Sequence, residues 1–330
     1  MTEKIRWGIL GTGNIAKKFA TGLSVLPDAE LVAVGSRAQD TADEFGAEFD
    51  VPHRHDSYAA LANDPDVDVV YVATPHTFHC ANTLLCLDAG KPVLCEKPFA
   101  INATEAQLMI AAARARKLFL MDAIWTRFLP TLVKVREWLA AGEIGEVRML
   151  HADFGFRAEY NPEGRLFNPA LGGGALLDVG IYTVQLASLV FGRPPSQIAS
   201  LATMGKTGVD EQGAIILGYA DGCMAQLTCA TRLTTHHEAS IFGTAGRIRL
   251  HTPWWRGTGV SLFHRPILVA DIALDLPHIS NGYEYEAAEV MSCLRGGRQE
   301  SAIMPLDETL SIMHTLDAIR EQWGLKYPME

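Results

Sequence analysis

What this chain has little of narrows it first. Its 330 residues carry only six cysteines, Cys80, Cys86, Cys95, Cys223, Cys229 and Cys293, with no C-x-x-C spacing. That argues against a disulfide framework and leaves reduced, mostly buried thiols. No apolar run reaches the roughly 20 residues a membrane helix needs. The richest, ALLDVGIYTVQLASLVF, is interrupted by Asp178 and Gln185. Positive charge is also in deficit, with 28 Lys and Arg against 38 Asp and Glu and a formal net charge of -10, so no nucleic-acid partner is expected. The start, MTEKIRWGILGTG, lacks the long apolar region and cleavage site of a secretory signal, and a cytoplasmic location is expected. His53, His55, His236, His237 and His251 show no H-E-x-x-H or comparable spacing, so no metal is expected.

The composition that remains, 48% hydrophobic and 20% charged, is that of an ordinary globular protein, and the length allows two cores. From residue 1 to 122, near-continuous apolar runs (IRWGIL, ELVAVGS, VDVVYVAT, PVLCEK, LFLMDA) alternate with helical ones (NIAKKFATGLSVL, QDTADEFGAEF, FHCANTLLCLDAG, ATEAQLMIAAARARK). That alternation predicts an α/β doubly wound parallel sheet, with strands buried on both faces. From 123 to 330 the grammar changes. One helix (PTLVKVREWLAAG) precedes long strands (EVRMLHADFGF, SQIASLATMG, GAIILGYA, CMAQLTCATR, HEASIFGT, GRIRLHT) joined by turns such as ADG and TAG, and a helix ending near Gly324 closes the chain. A second α/β domain with a large, mainly antiparallel, open-faced sheet is expected.

Gly11-Thr12-Gly13-Asn14-Ile15-Ala16 follows the first strand and opens a helix. Glycines there allow a tight turn and let a pyrophosphate approach backbone N–H groups at the positive end of the helix. An ordinary strand-to-helix turn uses the same letters, but the position in the first βαβ unit favours a dinucleotide. The second strand ends in Ser36-Arg37, where an NAD site normally offers Asp or Glu. A hydroxyl and a guanidinium suit a 2'-phosphate, which makes NADP(H) the expected cofactor. Thr74, Pro75, His76 and His79 follow the next sheet strand, and Glu96-Lys97-Pro98 ends another, so these residues fall where ligands of open α/β sheets bind. In GGGALLDVGIY, residues 172 to 182, Asp178 and Tyr182 stand four apart and would share one face of an α-helix. They read either as a polar contact on a core helix or as half of an active site. Trp125, Arg127, Phe128, Phe154 and Trp254 are candidates for an aromatic substrate wall.

Together GTGNIA, ATPHTFH, EKP and GGGALLDVGIY resemble the Gfo/Idh/MocA oxidoreductases, and the resemblance extends over essentially the whole chain. MDAIWTRFLP and MPLDETLSIMHTLDAIREQWGLKYP narrow it to the subgroup of dimeric dihydrodiol dehydrogenases and NADP-dependent D-xylose dehydrogenases. The family usually has histidine where this chain has Tyr182, a departure that agrees with the subgroup. The resemblance implies that Lys97, Asp178 and Tyr182 surround the nicotinamide. A phenol with a pKa near 10 is a weak base at neutral pH, but a neighbouring ammonium favours the phenolate. Tyr182 is therefore the expected proton-transfer residue, Lys97 its electrostatic partner, and Asp178 an orienting group. The expected activity is hydride transfer between NADP and a sugar, such as D-xylose at C1, or a related vicinal diol. Reduction of a keto-sugar of the anhydrofructose type is a second reading, and a nucleotide-sensing regulator on the same fold is the non-enzymatic one. A homodimer through the open sheet face is expected from its apolar strands and from the resemblance.

Overall fold

The computed structural model describes residues 3–264 and 269–330. The chain divides into two compact units, Met1–Phe128 with Ile279–Leu310, and Leu129–His278 with Ser311–Glu330. A boundary at 122/123 with a continuous second domain therefore misses the return of residues 279–310 to the first unit.

In the first unit, β1 (Ile5–Leu10), α1 (Asn14–Leu23), β2 (Ala29–Gly35), α2 (Gln39–Glu48), β3 (His53–His55), α3 (Tyr58–Ala62), β4 (Val69–Val72), α4 (His79–Asp88), β5 (Val93–Glu96), α5 (Ala103–Arg116) and β6 (Leu120–Ala123) follow in sequence. The strands form one parallel sheet in the order β3-β2-β1-β4-β5-β6. Helices on both faces explain why Val69–Val72 and Val93–Glu96 are buried at every position instead of alternating. Beneath α1, Phe19 stacks on Tyr71 at 3.8 Å, and each such fully buried side chain contributes about 1.5–3 kcal/mol. The sequence reading missed β3 and α3. Three residues reading His-Arg-His on a sheet edge carry no apolar run, and five residues are too few to show helical periodicity.

The second unit contains α6 (Pro130–Ala140), β7 (Val147–Gly155), α7 (Ile181–Phe191), β8 (Gln197–Met204), β9 (Asp210–Gly218), β10 (Met224–Ala230), β11 (Ala239–Gly243), β12 (Arg247–Leu250), β13 (Gly259–Phe263) and β14 (Ile272–Asp275). Its eight strands are ordered β14-β13-β12-β11-β7-β10-β9-β8. All neighbours are antiparallel except β7 and β10, which run parallel. Alternation is clear in β9, where Ile215 and Leu217 are buried while Ala214 and Ile216 face outward. α7 packs against β7 and β10 on the covered side. The run Pro169–Phe191 is long and apolar enough to cross a membrane, yet most of it is buried inside the protein, as expected of a core helix. The turn at 220–222 places Gly222 at φ +86°, and the one at 244–246 closes with Gly243 N–H donating to Gly246 O.

The chain then re-enters the first unit as α8 (Glu284–Arg295) and passes between units through α9 (Leu306–Trp323), with Gly324 left-handed at its end. Leu120 N–H donates to Gln299 O, Asn281 holds the Lys18 carbonyl, and Arg295 pairs with Asp28, so this late segment is built into the first sheet's surroundings.

Candidate active site

The nucleotide motif sits at the carboxyl end of β1. Gly11 has φ +108°, and a Cβ there would lie 2.9 Å from the Ala73 carbonyl, so both conformation and space demand glycine. Gly13 has an unstrained φ of -74°, and among the described residues a Cβ on it would meet no atom within 4 Å beyond its chain neighbours. It is the N-cap of α1 with no side-chain cap, which leaves the first-turn N–H groups of Asn14 and Ile15 to an anionic ligand. Thr12 precedes them, half-buried. At the end of β2, buried Ser36 pairs through its hydroxyl with Thr41 at 2.5 Å, while exposed Arg37 extends its charge to the Tyr58 phenol. These groups fit a dinucleotide.

β4 and β5 end beside this motif. Thr74 is buried and accepts a hydrogen bond from Asn82 at 3.0 Å; after Pro75, His76 lies buried in a 3-10 turn. His79 is 1% exposed, and its ring nitrogens face the Thr74 and Pro98 carbonyls, each at 2.8 Å. Burial above all, with Lys97's charge adding to it, pulls this imidazole down to about 4. The neutral ring sits between two strand-end loops and, with a single N–H, donates to one of these two carbonyls. Glu96 accepts the Tyr71 hydroxyl through Oε1 and the Lys97 backbone N–H through Oε2, the latter at 3.0 Å. Half-buried Lys97 is thus held by its backbone at the carboxyl end of β5.

After β6, the turn Trp125–Phe128 is fully buried. Trp125 stacks on Tyr283 at 4.6 Å, and Arg127 donates to the Ile303 carbonyl at 3.1 Å and pairs with Glu308. Phe128 is 5% exposed.

In the second unit the three glycines before Asp178 do different things. Gly172 ends a 3-10 turn at φ +70°. Gly173 packs against the Leu166 and Asn168 backbone, and its carbonyl accepts the Tyr327 hydroxyl at 2.8 Å. Gly174 has φ +129°, and a Cβ there would fall 2.1 Å from Asp210 Oδ1. Asp210 in turn accepts the Leu176 N–H at 2.7 Å and starts the helix. Burial raises its carboxyl to about 7.

The expected i,i+4 helical spacing is corrected by this helix. Leu176–Gly180 is a π-turn leading into α7, so Asp178 is displaced from an α-helical relation to Tyr182. π-turns inside helices often occur at functional sites because they re-aim a side chain. Asp178 accepts from Arg165 at 2.6 Å, a partner that the sequence reading missed because Arg165 lies in an irregular loop 13 residues earlier. Tyr182, 7% exposed, has its ring 5.4 Å from that of Phe154. Phe154 stacks on Trp255 at 3.4 Å, and His237 abuts both. Trp254 is a second correction: it is 0% exposed and donates its indole N–H to Asp153 O, so it is core, and its neighbour Trp255 is the aromatic beside Phe154.

His53 and His55 were missed as a pair. On β3 they face one side, and both rings hydrogen-bond the same Asp64 oxygen, at 2.7 and 2.8 Å. Burial would raise Asp64, but the Asp66 N–H and the two histidines bring it to about 2.

Residues 5–123 match the oxidoreductase family with an NAD-binding Rossmann fold, and residues 132–249 match the GFO/IDH/MocA C-terminal domain. The chain belongs to the Gfo/Idh/MocA oxidoreductase family. It is 39% identical, over 99% of both chains, to the trans-1,2-dihydrobenzene-1,2-diol dehydrogenases of Homo sapiens and Mus musculus. A 3-ketoreductase from Actinomadura kijaniata, solved with NADP and TDP-benzene, is 26% identical with a TM-score of 0.84 over 97% of this chain and 98% of that one. An aldose-aldose oxidoreductase from Caulobacter crescentus has the same fold, with a TM-score of 0.89 at 24% identity over 98% and 99% of the two chains. This family member is an enzyme, an oxidoreductase with an NAD(P)-binding Rossmann domain.

Proposed function

We propose that the protein is an NADP-dependent dehydrogenase acting on a ring bearing adjacent hydroxyls, either a pyranose such as D-xylose oxidised at C1 or a cyclic dihydrodiol. The observation that carries this reading is the strand-end set of the first unit: a glycine cradle, Ser36-Arg37 in place of an acid, and Lys97 locked by Glu96. When bound, the nicotinamide supplies the acceptor or donor of the hydride. Gly11 to Ile15 hold the pyrophosphate, and Arg37 with Ser36 holds the 2'-phosphate. Tyr182 takes the hydroxyl proton as the carbon loses hydride, and Lys97 provides the positive charge that favours the phenolate. Asp178, fixed by Arg165, orients a substrate hydroxyl. The Phe154 and Trp255 rings offer a flat apolar face suited to the CH side of a sugar or to a carbocycle. The diol relatives at 39% identity support the diol arm, and the 3-ketoreductase supports the reverse reaction, reduction of a keto-sugar by NADPH, as a second reading.

The protein acts as a homodimer in this reading. The outward face of the large sheet carries Met149, Leu201, Ile216 and Met224, with Leu201 81% exposed, an apolar surface of the kind that associates. A cytoplasmic location accompanies it.

The test is a panel of aldoses and trans-diols followed by NADPH absorbance, with Tyr182→Phe and Lys97→Met. Tyr182→Phe is expected to keep cofactor binding and lose about 10²–10⁴ in turnover. The double variant should lose far less than the product of the single losses, because the two groups act as one unit. Near-normal turnover of Tyr182→Phe on the best substrate removes the tyrosine from the mechanism.

A further inference from the structure

Three carboxyl groups meet in the interior of the first unit. Glu96 ends β5, Asp122 lies in the adjacent β6 opposite Cys95, and Glu286 enters from α8; they are 4%, 2% and 0% exposed. Only Glu96 has donors on both oxygens, the Tyr71 hydroxyl and the Lys97 N–H. Oδ1 of Asp122 and both oxygens of Glu286 meet no hydrogen-bond donor among the described residues. Acidic side chains in this state are rare, because burying an ionised carboxylate without a partner is strongly unfavourable. Three neighbouring carboxylates cannot all be charged, so protons must stand in for the missing partners.

The groups around the cluster decide where those protons reside. Burial, then the charge of Glu96, raises Asp122 to about 8, against a smaller opposing pull from Arg127 and Lys97. Glu286 is raised well above its ordinary value by burial first, then by Glu96 and Asp122. Tyr71, with Tyr283 also near it, and the Cys95 thiol are all held neutral by burial and by these same acids. Glu96, with two donors, is the site where a single negative charge is best tolerated.

We propose that Glu96, Asp122 and Glu286 form a proton-sharing cluster beneath Lys97, with one negative charge in the working state and a second when Asp122 ionises, which makes Asp122 a positioning residue for the charge that Lys97 presents. The proposal rests on the role given to Lys97 above. A second negative charge under the lysine cancels part of its positive field. The phenolate that Lys97 favours is then less favoured, and turnover falls on the alkaline side. Glu286 stays protonated throughout and fills its place as a neutral acid. No bond other than O–H is made or broken, and the proton released by Asp122 goes to solvent.

Infrared spectroscopy of the full-length protein without nucleotide tests the cluster independently of catalysis. Apart from the band of the second unit's Asp210, which should vanish near pH 7, two protonated-carboxyl C=O bands are expected from the cluster at pH 6. One should vanish as pH rises through about 8 and be missing in Asp122→Asn, and the other should persist and be missing in Glu286→Gln. In the pH profile of turnover, Asp122→Asn should remove the alkaline fall, so that its rate at pH 9.5 relative to pH 7 exceeds the wild-type ratio by roughly threefold or more. Wild-type protonated-carboxyl bands at pH 6 that neither Asp122→Asn nor Glu286→Gln removes, or no such band at all, overturn the cluster. Bands as expected with superimposable pH profiles overturn the link to Lys97. If Lys97→Met kept full activity, the role of Lys97 would fail while the infrared result stood.

Discussion

Two glycines of the candidate site make a paired experiment, Gly174→Ala and Gly13→Ala. At Gly174 the backbone has φ +129°, where an L side chain is strained, and the new Cβ would start 2.1 Å from Asp210 Oδ1. Strain in such a region is about 1–3 kcal/mol. Asp210 cannot yield freely, since its other oxygen holds the Leu176 N–H at 2.7 Å. Displacing it leaves a buried donor unpaired, a further ~1–3 kcal/mol. The sum, roughly 2–6 kcal/mol, is a large part of the ~5–15 kcal/mol that holds a domain folded. It corresponds to a melting temperature lower by roughly 5–20 °C. Gly13→Ala meets neither obstacle, because φ is -74° and, among the described residues, no atom beyond its chain neighbours lies within 4 Å of the added methyl. Its stability should stay within about 0.5 kcal/mol of wild type, while dinucleotide affinity drops because the methyl occupies the approach of the pyrophosphate. Calorimetry with a fluorescence titration of NADPH reads both. A Gly174→Ala protein melting within a degree or two of wild type refutes the steric argument, and a Gly13→Ala protein with unchanged NADPH affinity refutes the placement of the phosphate.

Other outcomes follow from the same structure. Arg37→Ala should weaken NADP binding by about 1–3 kcal/mol and leave NAD nearly unaffected; equal losses in a binding titration contradict the 2'-phosphate assignment. Asp64, lowered to about 2 by the Asp66 N–H and its histidines against the opposing effect of burial, contributes stability that is complete above its unfolded pKa near 4 and is lost as pH falls towards 2. Asp210 and Asp122, raised by burial to about 7 and about 8, take up protons on folding, so their contribution declines as pH rises from near 4 through those values. Urea unfolding should therefore find maximal stability in the mildly acidic range, and a monotonic rise from pH 4 to 8 would contradict the assignment. Leu201→Lys on the exposed sheet face should shift light scattering from dimer towards monomer mass with the melting temperature preserved; a wild type that is monomeric at micromolar concentration sinks the dimer outright.

Much of the fold could be read from residues because the physics there is local. Parallel strands covered on both faces must be apolar throughout, so β1, β2, β4, β5 and β6 announce themselves, and the glycine pattern at 11–16 reports a turn that few other residues can make. The features that escaped depend on distant partners. α8 has Glu284 and Glu286 in its first turn, letters that read as surface, yet Glu284 ties down the preceding loop by accepting the Ser280 and Gly282 N–H groups and Glu286 is buried against the carboxyls of the sheet. Nothing in a one-dimensional pattern tells Trp254 from Trp255, since both lie in an irregular turn and the direction of each ring is set by β7. The π-turn at Asp178 is likewise invisible to a reading that counts helical residues by fours. Strand pairing is hidden for the same reason: β7 and β10 look like members of an antiparallel meander and are in fact parallel neighbours.

The return of residues 279–310 to the first unit also bears on how the protein is made. On a ribosome, every strand of the parallel sheet emerges before the second unit is begun, but α8, the carbonyl of Gln299 that receives Leu120 N–H, and the arginine that pairs with Asp28 arrive last. During that interval the nascent sheet has uncovered apolar surface along the side that α8 will occupy, including Trp125 without its Tyr283. The second unit is thus synthesised as a long insertion into an unfinished first one, and the carboxyl cluster beneath Lys97 closes only when Glu286 is delivered. Nucleotide binding is expected to mature late, after synthesis has passed residue 310, whereas the glycine turn that receives the phosphates is among the first parts of the chain to be written.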